Sequence, residues 1–279
     1  MIDTFGRLLR EDIGFGDITS QLAIPEDLSA QAKVIAKEAC LIAGLAYLSE
    51  NVTKLGLKVT VLIKDGENAE KGDIVALIEG NARKVLAMER VFLNILGRMS
   101  GIATTTRRIL NKINKTNPNV RIAATRKTLL GPLDKMAVIV GGGDPHRWNL
   151  SDHILIKDSH IALVGIEEAV KRVKKKSFIR KIEVEVETVE DAFKVMNLGV
   201  DIILLDNFKP KEVAQVVKEL GDRGLKGKII LEASGGINEE NVKEYAECGV
   251  DVISMGLLTH STKSIDFSIE TQRKMIPQV

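Results

Sequence analysis

The second half of the chain alternates apolar segments with amphipathic ones, and this alternation constrains the fold more than any other feature. The phrase GVDIILLD, which begins at Gly199, returns as GVDVISMG at Gly249, so two β/α units fit in the interval. Such alternation indicates a parallel sheet or barrel. The expected fold class is therefore α/β, with an α/β barrel or partial barrel in this region. The predicted strands are 121–125, 154–157, 182–187, 201–205, 228–233 and 251–255.

Residues at the ends of the predicted helices support this order of elements. Thr188 and Asp191 are spaced as in a capping box. Gly199 and Gly249 stand where a helix needs a left-handed residue before the next strand. Asn238 precedes the sequence EENVKEYAEC and is expected to cap a helix there.

The first hundred residues have a mixed pattern that predicts a small α+β domain. Runs at 33–36 and 58–62 and the segment IVALIEG are strand-like, and a helix is predicted over 45–55. A longer helix follows, with apolar residues at helical spacing from Val85 to Leu96, and Ser100-Gly101 is expected to end it. The predicted domains are 1–102 (α+β, sandwich-like), 103–262 (α/β barrel) and 263–279, a C-terminal tail packing back on the first domain.

Composition excludes several classes of protein. Of 279 residues, 44% are hydrophobic and 28% charged, enough for a substantial core. A net charge of +2 gives no general affinity for nucleic acid or an acidic membrane, so any anion site must be local. The two cysteines, Cys40 and Cys248, form no CxxC pair, and the start lacks the pattern of a signal peptide. We expect a soluble protein of the reducing cytoplasm.

The predicted strands end in polar residues, and in parallel α/β proteins these ends build the site. Basic residues come first along the chain, carboxylates follow, and glycine loops come last. This order indicates an anionic substrate, a cation and a phosphate. The residues are Arg126, Lys127, His146, Arg147, Lys157, Glu185, Asp206, Ser234, Gly235, Gly236, Gly256 and His260.

Glu183, Glu185 and Glu187 alternate with apolar residues, so their side chains share one face of a strand. An exposed edge strand would explain this pattern in an antiparallel sheet. Between β/α units both faces are normally covered, and buried carboxylates then need cationic partners or a metal. We therefore interpret Glu185 as functional, with Arg126, Lys127 and Lys157 as its candidate partners.

The late glycine loops predict a phosphate site. Ser234-Gly235-Gly236 follows a strand and precedes a helix, whose free N–H groups can face an anion. Gly256 ends the next strand, and two such loops at adjacent strands are typical of phosphate sites in barrels. By contrast, His146, His153 and His160 fall on a loop, a strand start and a strand end. We expect them to share no face, reject a metal site for them, and interpret His153 as structural.

Taken together, several motifs resemble one enzyme family. They are EDIGFGDIT, ERVFLNILGRMSGIAT, TRKT, GGGDPHR, LIKDSH, IEVEVET, ILLDN, EASGGI and SMGLLTHS, in an order that covers residues 11 to 261. The chain is similar to the quinolinate phosphoribosyltransferases. The resemblance implies a sandwich-like N-terminal domain and an open α/β barrel. It also implies transfer of phosphoribosyl from phosphoribosyl pyrophosphate to quinolinate, with Mg2+ as cofactor and release of pyrophosphate and CO2.

The resemblance also implies roles for residues. Arg90, in ERVFLN, would reach quinolinate across the interface of a homodimer with a shared active site, or of a higher oligomer. The basic pocket would consist of Arg126, Lys127, His146, Arg147 and Lys157, with Lys127 and Lys157 also catalytic. Glu185 and Asp206 would be catalytic and handle Mg2+ and the ribose hydroxyls. Ser234, Gly235, Gly236, Gly256 and His260 would hold the phosphate.

Three other functions stay open at this point. The first is a sibling phosphoribosyltransferase that acts on nicotinate or another aromatic acid. The second is a barrel lyase that uses Lys157 as a Schiff-base amine. The third is a non-catalytic sensor of a phosphate ligand, although such a sensor has no use for Glu185 and Asp206 without a cation.

Overall fold

The structure, a computed structural model, describes residues 3–274, which form two compact units. One unit comprises 3–105, 132–141 and 262–274, and the other comprises Thr106–Gly131 and Gly142–Ser261. The domain limits expected from the sequence, 1–102, 103–262 and 263–279, stay a prediction. Residues 1–2 of the first predicted domain and 275–279 of the predicted tail lie outside the described residues.

Strands and helices are numbered here in chain order. The strands are β1 (Ser29–Ala36), β2 (Cys40–Leu41), β3 (Lys58–Val61), β4 (Asn68–Ala69), β5 (Ile74–Asn81), β6 (Arg121–Ala123), β7 (Ile154–Ile156), β8 (Ile182–Val186), β9 (Ile202–Asp206), β10 (Ile230–Ser234), β11 (Val252–Ser254) and β12 (Phe267–Arg273). The helices are α1 (Thr4–Ile13), α2 (Ile18–Ala23), α3 (Leu45–Lys54), α4 (Ala82–Ile113), α5 (Pro132–Val140), α6 (Asp158–Val164), α7 (Ile166–Lys176), α8 (Val189–Met196), α9 (Pro210–Asp222), α10 (Val242–Glu247) and α11 (Leu257–His260).

The first unit is built on an antiparallel sheet in the order β12-β1-β5-β3. Residues of β1 are alternately half-buried and buried, so one face of this strand packs on the core. Its buried residues are small or β-branched, as in Ala32 and Val34. The predicted α+β character of the N-terminal region is confirmed, as are the helix over 45–55 and the strands around it.

The long helix α4 extends beyond the end that the sequence predicted. Its apolar row is buried as expected, but the helix continues through Ser100-Gly101 to Ile113, so the predicted end was wrong. Gly101 serves close packing instead. A Cβ atom at this position would collide with the carbonyl oxygen of Lys263, and one at Gly97 would press on that of Ile265. Ser100 lies inside the helix, and its Oγ accepts a hydrogen bond from the backbone amide of Ala43.

The second unit contains a parallel six-stranded sheet in the order β6-β11-β10-β9-β8-β7, with helices between successive strands from β7 onward. The predicted α/β barrel architecture, open between β6 and β7 in this strand order, is therefore confirmed. All six predicted strands are present, each within a few residues of its expected limits. No helix among residues 3–274 is long and apolar enough to cross a membrane.

The predicted helix ends are mostly confirmed. Thr188 Oγ1 accepts a hydrogen bond from the amide of Asp191, and Gly199 and Gly249 have left-handed φ values of 61° and 88°. Asn238 does not cap a helix directly, which corrects the prediction. Its side chain accepts hydrogen bonds from the amides of Glu240 and Asn241, forming a turn, and α10 begins only at Val242.

Candidate active site

A cavity of about 310 Å³ opens within the second unit, where the carboxyl ends of the parallel strands meet. Because every strand runs the same way, the residues at these ends converge on one rim. Eight of the residues predicted for the site line this cavity. They are Arg126, Lys127, His146, Arg147, Lys157, Glu185, Asp206 and Ser234.

Strand register places the acidic residues of the cavity in layers. Glu185 on β8 and Glu232 on β10 both pair in register with Leu204 of β9, which lies between them. One pleat further along, Asp206 pairs with Ser234. All five residues line the cavity, so two layers of carboxylate and hydroxyl groups face its interior.

The basic residues of the cavity are only partly neutralised. Lys157 Nζ forms an ion pair with Glu185 Oε2 at 2.8 Å. Among residues 3–274, Arg126, Lys127 and Arg147 form no ion pair within 4.0 Å. Burial and the neighbouring Arg126 both act to lower the pKa of Arg147, although a guanidinium keeps its charge in proteins. Cations crowded in this way are suited to an anionic ligand with more than one charged group.

Asp206 also lines the cavity and has both carboxylates and lysines as charged neighbours. Burial raises its pKa, and Glu185 and Glu187 add to this effect, whereas Lys127 and Lys157 oppose it. Its Oδ2 atom accepts a hydrogen bond from Asn207 Nδ2 at 2.8 Å. Crowded carboxylate oxygens form the donor set that Mg2+ prefers, so Glu185 and Asp206 fit the predicted cation.

The predicted phosphate loops lie at the ends of β10 and β11. Gly235 and Gly236 both have left-handed backbones, with φ values of 87° and 61°, and a Cβ atom on Gly235 would collide with Asn207. At the next strand, a Cβ atom on Gly256 would lie 2.9 Å from His260 Nε2 and 3.6 Å from Lys127 Cδ. These glycines do not line the 310 Å³ cavity, but both loops follow strands that do. Their role in phosphate binding stays a prediction.

Next to the cavity, His146, His153, Glu183 and Glu232 form a buried cluster whose contacts the sequence did not predict. His146 Nε2 is 3.2 Å from Glu232 Oε2 and 3.6 Å from Glu183 Oε1, and His153 Nε2 is 2.5 Å from Glu183 Oε2. The two histidine rings are 5.2 Å apart. The expectation that these histidines share no face was therefore wrong for His146 and His153. The two histidines are seven residues apart in the chain but come together because both contact the carboxylate of Glu183.

The hydrogen bonds of His146 fix a proton on one ring nitrogen. Burial disfavours its charged form, but Glu183 and Glu232 outweigh that effect and raise the pKa of His146 to about 10. On the other side of the ring, Nδ1 accepts a hydrogen bond from the amide of Arg147 at 2.8 Å, which favours the neutral ring. In either charge state the proton on Nε2 remains and faces the carboxylates.

This proton bears on metal binding. The ligand atoms of His146, His153 and Glu183 lie within 4.8 Å of one another, a spacing that a metal centre can use. A histidine nitrogen binds a metal through its lone pair, and a protonated Nε2 has none to offer. The contacts of His146 therefore favour a cluster of ion pairs and hydrogen bonds over a metal site at these three residues.

The residues that the sequence analysis did not single out are Glu232 and Ser254, which line the cavity. Glu183, which was expected to share a strand face with Glu185, does not line the cavity but contacts His146 and His153. A signal for Glu232 was present. In the segment LEAS it alternates with apolar residues, as Glu185 does in its own strand. Arg90 is exposed on α4, within the first unit, and its predicted reach across a dimer interface stays a prediction.

Comparison with known proteins assigns the family. Residues 17–100 and 102–270 match the family models described as the N-terminal and C-terminal domains of quinolinate phosphoribosyl transferase. The chain belongs to the quinolinate phosphoribosyltransferase family. The two family models together span residues 17 to 270, so the match covers both regions of the fold.

Three relatives illustrate the similarity to this family. The chain is 48% identical over 270 residues to a probable nicotinate-nucleotide pyrophosphorylase [carboxylating] of Methanocaldococcus jannaschii, covering 95% of each chain. It is 36% identical to the nicotinate-nucleotide pyrophosphorylase [carboxylating] of Mycobacterium leprae, covering 96% of each. The crystal structure of NadC from Streptococcus pyogenes superposes with a TM-score of 0.87 at 34% identity, covering 98% of each chain.

Proposed function

We propose that this chain is a decarboxylating phosphoribosyltransferase that converts quinolinate and phosphoribosyl pyrophosphate to nicotinate mononucleotide, pyrophosphate and CO2, a reaction of NAD biosynthesis. The observation that carries the proposal is the charge distribution of the cavity. Arg126, Lys127 and Arg147 are cationic and form no ion pair within residues 3–274, and they line the same cavity of about 310 Å³ as Glu185 and Asp206. Full-length similarity to carboxylating pyrophosphorylases supports the same reaction.

The unpaired arginines are suited to quinolinate, a pyridine with two neighbouring carboxylates. An arginine fork binds a carboxylate through two parallel hydrogen bonds, which fixes the plane of the ring as well as its position. Two such forks, Arg126 and Arg147, match a dicarboxylate better than a monocarboxylate. Held in this way, the ring nitrogen is oriented toward the anomeric carbon of the ribose.

Transfer of the ribosyl group forms a bond from the ring nitrogen to the anomeric carbon and breaks the bond from that carbon to the pyrophosphate oxygen. Positive charge develops on the sugar in the transition state, as in glycoside cleavage. Glu185 and Asp206 are placed to stabilise this charge, and Lys127 and Lys157 to stabilise the departing diphosphate. The ion pair between Lys157 and Glu185 keeps both groups charged and in place before substrate enters.

Decarboxylation follows from the charge on the product of that step. Once ribosylated, the ring nitrogen is cationic, so the bond from the adjacent ring carbon to its carboxylate breaks readily. CO2 departs, the electron pair stays on the ring carbon, and that carbon then takes up a proton. The contribution of the protein is to position the ring and to exclude water from it.

Glu185 and Asp206 are the residues that would hold Mg2+, because their carboxylate oxygens are hard donors at the edge of the cavity. When bound, the cation neutralises charge on the diphosphate of the substrate. The glycine loops that contain Gly235 and Gly256 would receive the 5′-phosphate through backbone N–H groups.

The remaining expectations belong to the same proposal. Arg90 would complete the quinolinate pocket of a second copy, giving a homodimer with shared sites or a higher oligomer. The compartment would be the cytoplasm, in agreement with the two free cysteines, Cys40 and Cys248. The lyase hypothesis is disfavoured, because Lys157 is engaged in an ion pair and an ammonium group is not a nucleophile.

The experiment that tests the proposal supplies quinolinate labelled at its 2-carboxylate, phosphoribosyl pyrophosphate and Mg2+ to the purified protein. Nicotinate replaces quinolinate in a parallel reaction. Equal amounts of nicotinate mononucleotide and labelled CO2 from quinolinate, with no product from nicotinate, are expected. Mononucleotide from nicotinate would move the assignment to the sibling activity, and no product in either reaction would favour the sensor.

A further inference from the structure

The buried cluster of His146, His153, Glu183 and Glu232 contains carboxylate oxygens whose burial costs stability. Glu183 is fully buried and Glu232 nearly so, and within residues 3–274 one carboxylate oxygen of each accepts no hydrogen bond. Buried carboxylates with unsatisfied oxygens destabilise a fold, and apolar side chains of similar volume often serve stability better. A contribution to something other than stability is therefore expected of them.

The turn that joins this cluster to the cavity is strained. His146 has a φ of 53°, a left-handed conformation that is uncommon for residues other than glycine. Three contacts hold it there. The amide of His146 donates to Asp144 Oδ1 at 2.7 Å, its Nδ1 accepts from Arg147, and its Nε2 faces Glu183 and Glu232. Strained residues of this kind persist only where surrounding contacts fix them, and they concentrate at functional sites.

Arg147, the next residue, carries the guanidinium that lines the cavity, and the whole residue is only 7% exposed. We propose that Glu183 and Glu232 are positioning residues: Glu232 faces the Nε2 proton of His146 at 3.2 Å, Glu183 adds a second negative charge 3.6 Å away, and together they fix the strained turn and aim Arg147 at a carboxylate of the substrate. This inference rests on the proposed function and adds to it a set of residues that act through Arg147.

Glu183 is the better of the two carboxylates for a test, because it does not line the cavity and cannot touch the substrate. The groups that face His146 are Glu183 from β8, Glu232 from β10, and Asp144 and Arg147 from its own turn, with the His153 ring adjacent. Replacement of Glu183 by methionine removes the charge while keeping most of the volume. Replacement by glutamine keeps an oxygen in the position that faces Nε2 of His146, 3.6 Å away.

The experiment measures KM for each substrate in Glu183→Met, in Glu183→Gln and in a control, Glu168→Met, whose exposed carboxylate pairs with Arg172 on α7. In Glu183→Met we expect KM for quinolinate to rise by about 10- to 100-fold, as for other residues that orient a binding group. KM for phosphoribosyl pyrophosphate should stay within about twofold, because Glu183 does not line the cavity. Glu183→Gln should restore much of the quinolinate affinity.

A second measurement identifies the route of the effect. Residues that act through a common partner are not additive, so Glu183→Met should add little to the loss already caused by Arg147→Ala. Additive losses in the double variant, or equal losses for both substrates, would overturn the proposal. It would also be overturned by a stoichiometric metal in the purified protein that is lost in His153→Ala. If wild-type protein forms no nicotinate mononucleotide, the proposed function itself has failed. An active wild type with an unchanged KM in Glu183→Met overturns this inference alone.

If Glu183→Met does not fold, the ring of His146 gives an independent test in wild-type protein. The 15N resonance of Nε2 should report a protonated nitrogen at neutral pH, because Nδ1 accepts the amide of Arg147 and Nε2 faces the two carboxylates. An unprotonated Nε2 at neutral pH would overturn the proposal.

Discussion

Lys157 Nζ and Glu185 Oε2 lie 2.8 Å apart, an ion pair that joins the ends of β7 and β8 inside the cavity. The lysine is 39% exposed and the glutamate 11%, so the carboxylate is the more buried member of the pair. The two groups have opposite tasks in the proposed reaction: Glu185 would stabilise positive charge on the sugar, and Lys157 would stabilise negative charge on the departing diphosphate.

Replacement of Glu185 by glutamine should lower kcat by about 100- to 1,000-fold, the usual effect of removing one group that stabilises charge in a transition state. The amide keeps the shape and a hydrogen bond to Lys157 but loses the charge. Steady-state kinetics check this, with Glu168→Gln as the matched control on the exposed surface. A parallel loss of substrate affinity with kcat preserved would show that Glu185 serves binding only, as the sensor hypothesis requires.

Replacement of Arg126 by lysine should raise KM for quinolinate by about tenfold or more, because a point charge replaces a two-pronged fork. The effect should be specific to the dicarboxylate. Binding of nicotinate, measured by calorimetry, should weaken much less than binding of quinolinate. If both ligands weaken equally, Arg126 does not recognise the second carboxylate.

Replacement of Gly235 by alanine should weaken binding of phosphoribosyl pyrophosphate by about 10- to 100-fold through displacement of the loop. The added Cβ atom would meet Asn207, which has itself a left-handed φ of 59° and donates its amide to Ser234. Gly224→Ala is the control, because Gly224 is equally left-handed, with a φ of 64°, but has open space around it. If the two variants bind phosphoribosyl pyrophosphate equally well, the loop that contains Gly235 does not contribute to phosphate binding.

The ion pair between Arg98 and Asp134, in the first unit, is buried, so we expect its loss to lower the free energy of unfolding strongly. Arg98 contacts both carboxylate oxygens of Asp134 at 2.7 Å, and the aspartate side chain is fully buried. Asp134→Asn should cost about 3 to 5 kcal/mol of unfolding free energy, because it removes the charge of one partner from a buried ion pair.

Arg108 and Glu239 provide the comparison for that variant. They form the same two-pronged contact at 2.9 Å, but both side chains are exposed. Glu239→Gln should cost about 0 to 1 kcal/mol. Chemical denaturation of both variants measures the difference, and similar costs for the two would show that burial of Asp134 does not decide its contribution.

Much of this architecture was accessible from the sequence, because β/α alternation and strand-end chemistry are local signals. Alternation alone placed Glu185 on an inward face, and the basic residues after the first barrel strand lie with it in one cavity. The extent of α4 was not accessible. Whether Gly101 ends a helix or admits a neighbouring backbone depends on Lys263, which is far away in sequence. The pairing of His146 and His153 around Glu183 depends in the same way on tertiary contact.

The most direct test of the central claim is a single reaction in which both products are counted. Purified protein is given quinolinate labelled at the 2-carboxylate, phosphoribosyl pyrophosphate and Mg2+, and labelled CO2 is compared with nicotinate mononucleotide. One CO2 is expected for each mononucleotide, and neither product is expected without phosphoribosyl pyrophosphate. Mononucleotide formed from nicotinate without release of CO2, or no turnover of quinolinate at all, would contradict the proposed function.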